Sequence, residues 1–434
     1  MTSTRGPRDL ARLGQTGPRR PGAGYRGLPP LQPGRSGFGT SLGGRGSLGS
    51  RLGGLARKAF ARKSPLRRLD WILLAGVLAL SLLGTLLVWS ATRPGLQHSG
   101  ADSRTFLMKQ LLNIALGLAF MIAVALLDYR QLRLYAPVVY GLSCLGLLVV
   151  LTPLGSIVNG AHSWISLPGG FQVEPSEFGK LSVILMTATL VGQLRHGEAR
   201  PRLRAAGIAL AIAAVPIAMV AAEPDLGVVI LMLALIVGLI ALSGIRLYWL
   251  AGLVAAGIAM VVAVINLHLL KSYQVSRLTA FLHPSADPQG TGYSAAQAKI
   301  AIGSGGLTGQ GLFHGQLVSG NFVPEQHTDF IFAVAGEELG FVGCAAIIAL
   351  MAIVLLRALR IAARADDQFG MLVAAGVAIW FGVQSFVNIG MTMGIMPVTG
   401  LPLPFVSYGG SAMFADMIAV GALQAVYRHH TVFS

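Results

Sequence analysis

Long apolar runs alternate with short polar connections from about residue 70 to the end of the chain. Ten of these runs approach the roughly 20 residues that a helix needs to cross about 30 Å of hydrocarbon. The pattern predicts membrane helices near residues 70–91, 106–127, 133–153, 175–194, 205–222, 226–243, 247–267, 329–356, 370–395 and 403–427. The sequence therefore predicts an all-α, polytopic membrane protein of ten helices, with a large polar loop, residues 268–328, between helices 7 and 8.

Composition agrees with this pattern. The chain has 434 residues, of which 54% are hydrophobic and only 12% are charged, whereas a soluble domain carries about 25% charged residues. The two cysteines, Cys144 and Cys344, lie in apolar runs, where buried thiols are the usual outcome. Nothing in the sequence indicates a disulfide or metal framework built on them.

The positive charge is concentrated at one end of the chain. Residues 1–68 hold fifteen Lys and Arg against a single acid, Asp9, so they account for +14 of the net charge of +16. This Gly-, Arg- and Pro-rich stretch is predicted to be a disordered cytoplasmic tail, and residues 69–434 to be the membrane domain. The tail anchors the topology or contacts anionic membrane lipids. The nearly neutral remainder argues against nucleic acid as a partner.

The distribution of basic residues predicts which loops face the cytoplasm. With the N-terminus inside, the inner loops carry eleven Lys and Arg and the outer loops five, as the positive-inside rule requires. Both termini are then cytoplasmic, and the 268–328 loop lies outside. Four polar motifs of the chain all fall on that outer side.

The first motif is the helix start EPSEFGKL, residues 174–181. Glu177 and Lys180 are three residues apart and share a helix face with Ser176. A local ion pair at a capped helix start is one interpretation. The other is functional, because an ionisable residue such as Lys180 below the lipid headgroups usually marks a site.

The second motif is the tight turn EPDLG between two apolar helices. Glu223 and Asp225 could be a solvated turn in which Asp225 caps the following helix. The turn matters because it is predicted to lie on the same side as Lys180.

The third motif is the polar loop itself, which has no evident fold of its own and is longer than ordinary connections. Asp287 sits in a Pro- and Gly-rich turn, and the glycine run 303–311 could approach phosphates through backbone amides. His327 marks the entry to the next span, and Glu337 and Glu338 lie about two turns inside it. Adjacent acids in a membrane helix are expected to face a bundle interior or a wet cavity.

The fourth motif, MPVTGLPLPFVSYGGSA, is a Pro- and Gly-rich re-entry into the last span and contains Ser407. Non-helical backbone at membrane depth is tolerated only where protein packs around it or it lines a cavity. Asp416 follows in the last helix and is a candidate interior partner for the other polar groups.

Taken together, the strings NGAHSW, EPSEFGKL, EPDLG, RLTAFLHPSADPQGTGY, QAKIAIGSGGLTGQG, PEQHTDFIFAVAGEELG and GLPLPFVSYGGS resemble the SEDS family (shape, elongation, division and sporulation). The likeness runs from Leu69 onward and is greater to the RodA branch, of rod shape-determining peptidoglycan glycosyltransferases, than to the FtsW or SpoVE branches. His162 and Ser163 depart from the basic pair that many relatives carry.

The resemblance implies a peptidoglycan glycosyltransferase that polymerises lipid II at the outer face of the bacterial cytoplasmic membrane. It implies that Asp287 is the catalytic residue and that Lys180, Glu177 and Asp225 belong to the site. We assign Arg277, His327 and Ser407 to substrate binding as well. The departing diphosphate needs positive charge, from Lys180, Arg277 or a divalent cation, Mg²⁺ or Mn²⁺; no organic cofactor is expected. The implied partner is a class B penicillin-binding protein.

Two other functions fit the same sequence. The first is a lipid II flippase, in which Glu337, Glu338 and Asp416 form a polar path across the bilayer. The second is a non-catalytic scaffold that recruits a cell-wall synthase. The flippase needs its key groups near the midplane, whereas most of the acids and Lys180 cluster toward the outside.

Overall fold

The computed structural model describes residues 69–98, 100–158, 161–167, 171–192, 203–223, 225–266 and 290–433, with Val275, Arg277 and Phe281 between the last two ranges. The predicted tail, residues 1–68, and Asp287 lie outside the described residues.

The described chain is predominantly helical. The first helices are α1 (Trp71–His98), α2 (Thr105–Leu126) and α3 (Tyr129–Val150); after a small sheet come α4 (Pro175–Val191), α5 (Leu203–Ala222), α6 (Leu226–Leu242) and α7 (Leu247–Asn266). The second half contains α8 (Thr291–Ser304), α9 (Gln316–Ser319), α10 (Ile331–Glu338), α11 (Gly340–Ala363), α12 (Gln368–Thr392) and α13 (Gly410–Phe433). Each of the ten predicted segments coincides with a helix or, for 329–356, with a pair of helices.

Seven of the described helices are long and apolar enough to cross a membrane: α1, α2, α3, α5, α11, α12 and α13. Two shorter apolar helices cover Leu226–Leu242 and Tyr248–Ala259, and α4 carries a buried acid and lysine. The protein is therefore a multi-pass helical membrane protein. The count of ten spans stays a prediction.

The predicted span 329–356 is interrupted. Helix α10 ends at Glu338, and α11 begins at Gly340, whose φ of +65° lies in the left-handed region that a glycine adopts without steric cost. A Cβ at Gly340 would overlap the backbone of Leu307 and Gly309, so the polar loop packs directly onto this break. The last helix also begins later than predicted, at Gly410 rather than 403, because residues 393–409 form a non-helical segment.

A three-stranded antiparallel sheet departs from the all-α prediction. Strands β1 (Gly155–Val158), β2 (Ala161–Leu167) and β3 (Phe171–Val173) pair in the order β1-β2-β3, with Gly155 opposite Ile165 and Ile165 opposite Val173. The sheet leads straight into Pro175, which occupies the first turn of α4, where its missing N–H has no partner to lose. The sheet therefore places the start of α4 at one end of the bundle.

Helix α4 is at the centre of the molecule. It packs against α3, α5, α6, α12 and α13, and almost every side chain on it is buried, including Glu177 and Lys180. Helix α12 is similarly enclosed. Because these two helices meet in the middle of the bundle, polar side chains on their facing surfaces are removed from lipid.

Candidate active site

The buried ion pair of Lys180 and Glu177 forms the core of the site. The Lys180 ammonium lies 2.6 Å from Glu177 Oε2, and both side chains are almost completely inaccessible. The ammonium also donates to Gln384 Oε1 at 3.0 Å and lies 4.8 Å from the centroid of the Trp380 ring. The predicted local ion pair on one face of α4 is present, and it is buried.

Helix α12 supplies residues that the sequence analysis missed. Trp380 Nε1 donates to Gln384 Oε1 at 2.7 Å, Gln384 Nε2 donates to the carbonyl of Pro402 at 2.8 Å, and Asn388 Nδ2 donates to the carbonyl of Leu401 at 2.7 Å. Trp380, Gln384 and Asn388 recur every four residues and so form one polar stripe. Two amides at that spacing inside an apolar segment were an available signal of a buried polar site.

Glu174, also missed, joins the same cluster. It precedes α4, is half-buried, and accepts a hydrogen bond from Ser176 Oγ at 2.8 Å. Burial raises the pKa of Glu174 well above its ordinary value, and the nearby carboxylates of Glu177 and Asp225 raise it further, against the opposing effect of Lys180. Two acids within four residues of a helix start, EPSE, were the available clue.

The EPDLG turn reaches this cluster from α6. Asp225 Oδ1 accepts from the amide of Val228 at 3.1 Å, so the predicted helix cap is confirmed. Burial is the largest cause of the raised pKa of Asp225, and the Glu177 carboxylate raises that pKa further. The hydrogen bond from Val228 and the positive charges of Lys180 and Arg277 lower it.

The idea that this turn is solvated is wrong. Glu223 is 0% exposed, and neither of its carboxylate oxygens has a hydrogen-bond partner among the described residues. Burial, with a smaller contribution from Asp225, raises the pKa of Glu223 to about 8. The acid is therefore held in its neutral form near pH 7.

Residues 393–409, which we call the re-entrant segment, bring in the remaining predicted residues. Ser407 is buried; its hydroxyl donates to the carbonyl of Thr328 at 2.6 Å and accepts from the amide of Leu403 at 2.8 Å. His327 packs against the rings of Phe106 and Tyr408 at 5.3 and 5.7 Å between centroids. Ser407 therefore shapes the backbone of the site, and its hydroxyl is engaged by protein groups.

Arg277 and Asp329 complete the region. A guanidinium N–H of Arg277 donates to the carbonyl of Thr399 at 3.2 Å. Burial raises the pKa of Asp329 to about 7; Glu325 and Asp225 add to the rise and Arg277 opposes it. Burial lowers the pKa of His327, so its imidazole is neutral at pH 7.

Asp416 was predicted to be an interior partner, and the structure agrees. It is 1% exposed and interacts electrostatically with Glu177 and Lys180. The structure thus brings Lys180, Glu177, Asp225 and Arg277 into one region with Asp416, and His327 and Ser407 border it through the re-entrant segment.

Glu337 and Glu338 bond to the polar loop rather than forming the polar path that a flippase would need. Glu337 accepts the amides of Leu317 and Val318 at 2.7 and 3.0 Å. Glu338 accepts the Ser90 hydroxyl at 2.5 Å, and the same hydroxyl accepts the amide of Phe313 at 3.1 Å. Both acids therefore fasten the polar loop to the helices.

The glycine run 303–311 likewise turns inward. The amides of Gln310 and Gly311 donate to the carbonyls of Glu337 and Glu338 at 2.9 and 3.0 Å. A Cβ at Gly305 would overlap the carbonyl of Gly336. The amides of Gln310 and Gly311 are therefore bonded within the protein, and a phosphate site at the rest of the run stays a prediction. Residues 291–304 form α8, so this part of the loop has a fold of its own.

No three His, Cys, Asp or Glu side chains among the described residues are arranged to hold a metal ion. The expected Mg²⁺ or Mn²⁺ site thus finds no ligand set in that part of the chain.

Fold and site together define a multi-pass helical membrane protein with a cluster of buried carboxyl groups around one lysine. Residues 70–432 match the FtsW/RodA/SpoVE family of cell cycle proteins. The chain belongs to this family, and the SEDS resemblance is confirmed.

Two similar proteins are matched over most of the chain. The peptidoglycan glycosyltransferase MrdB of Escherichia coli (strain K12) is 40% identical over 373 residues, covering 84% of this chain and 95% of the relative. The stage V sporulation protein E of Bacillus subtilis (strain 168) is 35% identical over 362 residues, covering 83% and 97%.

Solved structures share the fold. A chain of a peptidoglycan synthase complex that coordinates polymerization and crosslinking superposes with a TM-score of 0.69 at 29% identity, covering 83% of this chain and 98% of that one. The rod shape-determining protein RodA of Thermus thermophilus superposes with a TM-score of 0.60 at 28% identity, covering 83% and 97%.

Proposed function

We propose that this protein is a peptidoglycan glycosyltransferase that polymerises lipid II at the outer face of the cytoplasmic membrane during cell elongation. The observation that carries the proposal is the cluster of carboxyl groups around Lys180, in a chain matched over 84% of its length to a protein named peptidoglycan glycosyltransferase. The carboxyl groups come from the start of α4, the turn before α6 and α13, and α12 adds the Gln384 amide, so the bundle itself assembles them.

The reaction requires a base and a stabilised leaving group. The hydroxyl oxygen of one lipid-linked disaccharide forms a bond to the anomeric carbon of another, the bond from that carbon to the diphosphate oxygen breaks, and the hydroxyl proton passes to a base. A carboxylate serves as the base when its environment raises its pKa toward the working pH. We assign this role to Asp287, which lies outside the described residues.

The neighbourhood is suited to such chemistry. Burial brings the pKa of Asp329 to about 7 and raises that of Asp225, so the site can hold protons on carboxyl groups at neutral pH. Lys180 and Arg277 beside Asp225, and Arg277 beside Asp329, limit the repulsion among these acids. Lys180 and Glu177, which are almost completely inaccessible, then set the charge of the site beneath the substrate.

Positive charge at the leaving diphosphate comes from Arg277 in this proposal. A divalent cation would add to that charge, but the described residues offer no ligand set for it, and we route no step through a metal.

The proposed membrane setting is supported by the family, the helices and the distribution of basic residues. The N- and C-termini are proposed to be cytoplasmic, the bundle to have ten spans, and the 268–328 loop to be external. By analogy with the synthase complex that it resembles, the partner is a class B penicillin-binding protein that crosslinks the new glycan.

The test is polymerisation of lipid II by the purified full-length protein and its Asp287→Ala variant. We expect glycan strands from the parent and none above background from the variant. Asp102→Ala is the matched control, because Asp102 is exposed and its carboxylate accepts the amide of Arg104, two residues along the chain. Undiminished polymerisation by Asp287→Ala would remove the catalytic assignment. Lipid II translocation without polymer by the parent protein would favour the flippase.

A further inference from the structure

A cavity lies beside the carboxyl cluster, and Arg277 borders both. Its volume is about 260 Å³, and it lies between α8 and the first part of the re-entrant segment. Its lining includes two cationic and four large apolar side chains: Arg277, Lys299, Phe281, Ile300, Met396 and Val398. The described residues that line it include no acid, in contrast to the cluster around Lys180.

Both cations lie against the backbone of the re-entrant segment. Arg277 donates to the carbonyl of Thr399. The Lys299 side chain lies over Gly394, where a Cβ would overlap its Cε and Nζ atoms. Gly394 also has a φ of +72°, so the turn both requires glycine and leaves room for the lysine.

Lys180 is poorly suited to receive a diphosphate. It is 0% exposed, its ammonium is already bonded to Glu177 and Gln384, and Glu174, Asp225 and Asp416 interact with it electrostatically. A dianion brought there would meet carboxyl groups on several sides. Arg277 also interacts with Asp225 and Asp329, but it and Lys299 face a cavity whose described lining carries no negative charge.

The size of the cavity restricts what it can hold. Pockets for whole drug-sized ligands measure about 300–1,000 Å³, so 260 Å³ admits the polar end of a lipid with a short apolar piece. Two cations next to apolar walls match a diphosphate joined to an isoprenoid chain. A diphosphate can accept hydrogen bonds from both cations, whereas a neutral sugar would bring no negative charge to either of them.

We propose that this cavity binds the diphosphate end of the polyprenyl-diphosphate sugar donor, with Lys299 and Arg277 on the diphosphate oxygens and the apolar wall on the first isoprene unit. The inference rests on the proposed function and adds Lys299 to it. As the bond from the anomeric carbon to the diphosphate oxygen breaks, that oxygen keeps the electron pair, and the two cations stabilise the charge that develops. The carboxyl cluster is then left to the acceptor sugar.

Binding of farnesyl diphosphate to the purified full-length protein tests the proposal without turnover. Lys299→Met should weaken binding roughly tenfold, the effect of losing one charge-assisted bond, whereas Lys299→Arg should stay within about twofold of the parent. Lys109→Met is the matched control, because Lys109 is exposed and lies on α2, outside the lining of this cavity. Farnesol, which has the chain without the diphosphate, should not compete.

A second pair of variants leaves Lys299 unchanged, so the test does not depend on whether Lys299→Met folds. Ala296 lines the cavity and is exposed, so Ala296→Glu places a negative charge beside the cations, and Ala296→Gln adds the same volume without charge. Only the glutamate variant should weaken binding. Equal affinity of parent, Lys299→Met and Ala296→Glu would overturn the proposal.

Competition experiments distinguish a sugar donor's diphosphate from a phospholipid headgroup as the natural ligand of the cavity. If vesicles of phosphatidylglycerol displace farnesyl diphosphate as well as unlabelled farnesyl diphosphate does, the cavity is a phospholipid headgroup site and the donor assignment fails. If polymerisation is absent but the binding pattern holds, the proposed function fails alone. If polymerisation occurs and Lys299→Met binds farnesyl diphosphate as tightly as the parent does, the donor assignment of the cavity fails alone.

Discussion

Removing the Lys180 ammonium should expose how strongly the buried pair is coupled. At an effective dielectric constant near 20, unit charges separated by the 2.6 Å between Lys180 Nζ and Glu177 Oε2 attract by about 6 kcal/mol. Desolvation of two almost inaccessible groups offsets much of this attraction. Breaking a buried pair by deleting one partner nonetheless costs about 3–5 kcal/mol, because an uncompensated charge remains.

We therefore expect Lys180→Met and Glu177→Gln each to lower the free energy of unfolding by about 3 kcal/mol. The double variant should lose about 3 kcal/mol rather than about 6, which is a coupling energy of about 3 kcal/mol. It should not return to the parent value, since Glu174 and Asp225 also lose the favourable effect of Lys180. Gln384 would retain its bond from Trp380.

The assay is unfolding of the purified protein by sodium dodecyl sulfate in mixed micelles, followed by tryptophan fluorescence, for the parent, both single variants and the double variant. Gln110→Leu is a control of similar burial outside the pair, since Gln110 is 0% exposed and its Nε2 donates to the carbonyl of Ser407. Strictly additive losses in the double variant would refute the argument. The buried charges would then be stabilised by something other than each other.

Two other buried acids, Glu223 in the EPDLG turn and Glu337 beneath the polar loop, give measurable effects on stability. Glu223→Gln should make the protein more stable than the parent as pH rises. The pKa of Glu223 is about 8 in the folded protein, against an ordinary value of 4.5. Below pH 4.5 the carboxyl group is neutral in both the folded and the unfolded chain and costs no stability. Between pH 4.5 and 8 only the unfolded chain loses the proton, so the parent protein becomes less stable as the pH rises. By pH 7 the loss is about 3 kcal/mol; unfolding midpoints of both proteins from pH 5 to 8 measure it, and parallel curves would contradict it. Glu337→Gln should leave one of the amides of Leu317 and Val318 facing an NH₂ group and destabilise the loop by about 2 kcal/mol, seen as faster hydrogen exchange at those amides; unchanged exchange would show that the carboxylate does not fasten the loop.

The membrane architecture followed from local pattern. Apolar runs near 20 residues have few stable alternatives to a helix in lipid, because backbone groups must be bonded internally. For the same reason most helix positions were predictable within a few residues, although the last helix begins seven residues later than predicted. The break at Gly340 was not, because one glycine inside an apolar run does not by itself end a helix. The break is made by the polar loop, whose backbone at Leu307 and Gly309 packs against Leu339 and Gly340.

The candidate site was only partly predictable. Glu177 and Lys180 are three residues apart on one helix, so their pairing needs no knowledge of the rest of the chain. Gln384 reaches the same lysine from 204 positions away, and no periodicity states which face of α12 meets α4. Glu337 and Glu338 were predicted to face a bundle interior or a wet cavity, and both are buried. Their partners, two loop amides and the Ser90 hydroxyl, lie far away in the chain and could not be predicted from the sequence.

The sequence by itself determined the class of protein, the approximate helices and the local pairs, since all of these depend on spacing along one segment. Only the tertiary structure decided which carboxyl groups share the Lys180 environment, that Glu223 is buried without a hydrogen-bond partner among the described residues, and that Arg277 and Lys299 face a cavity of their own. These outcomes depend on helix packing and on the path of the re-entrant segment. Both are set by contacts between residues far apart in the chain, so a linear pattern cannot contain them.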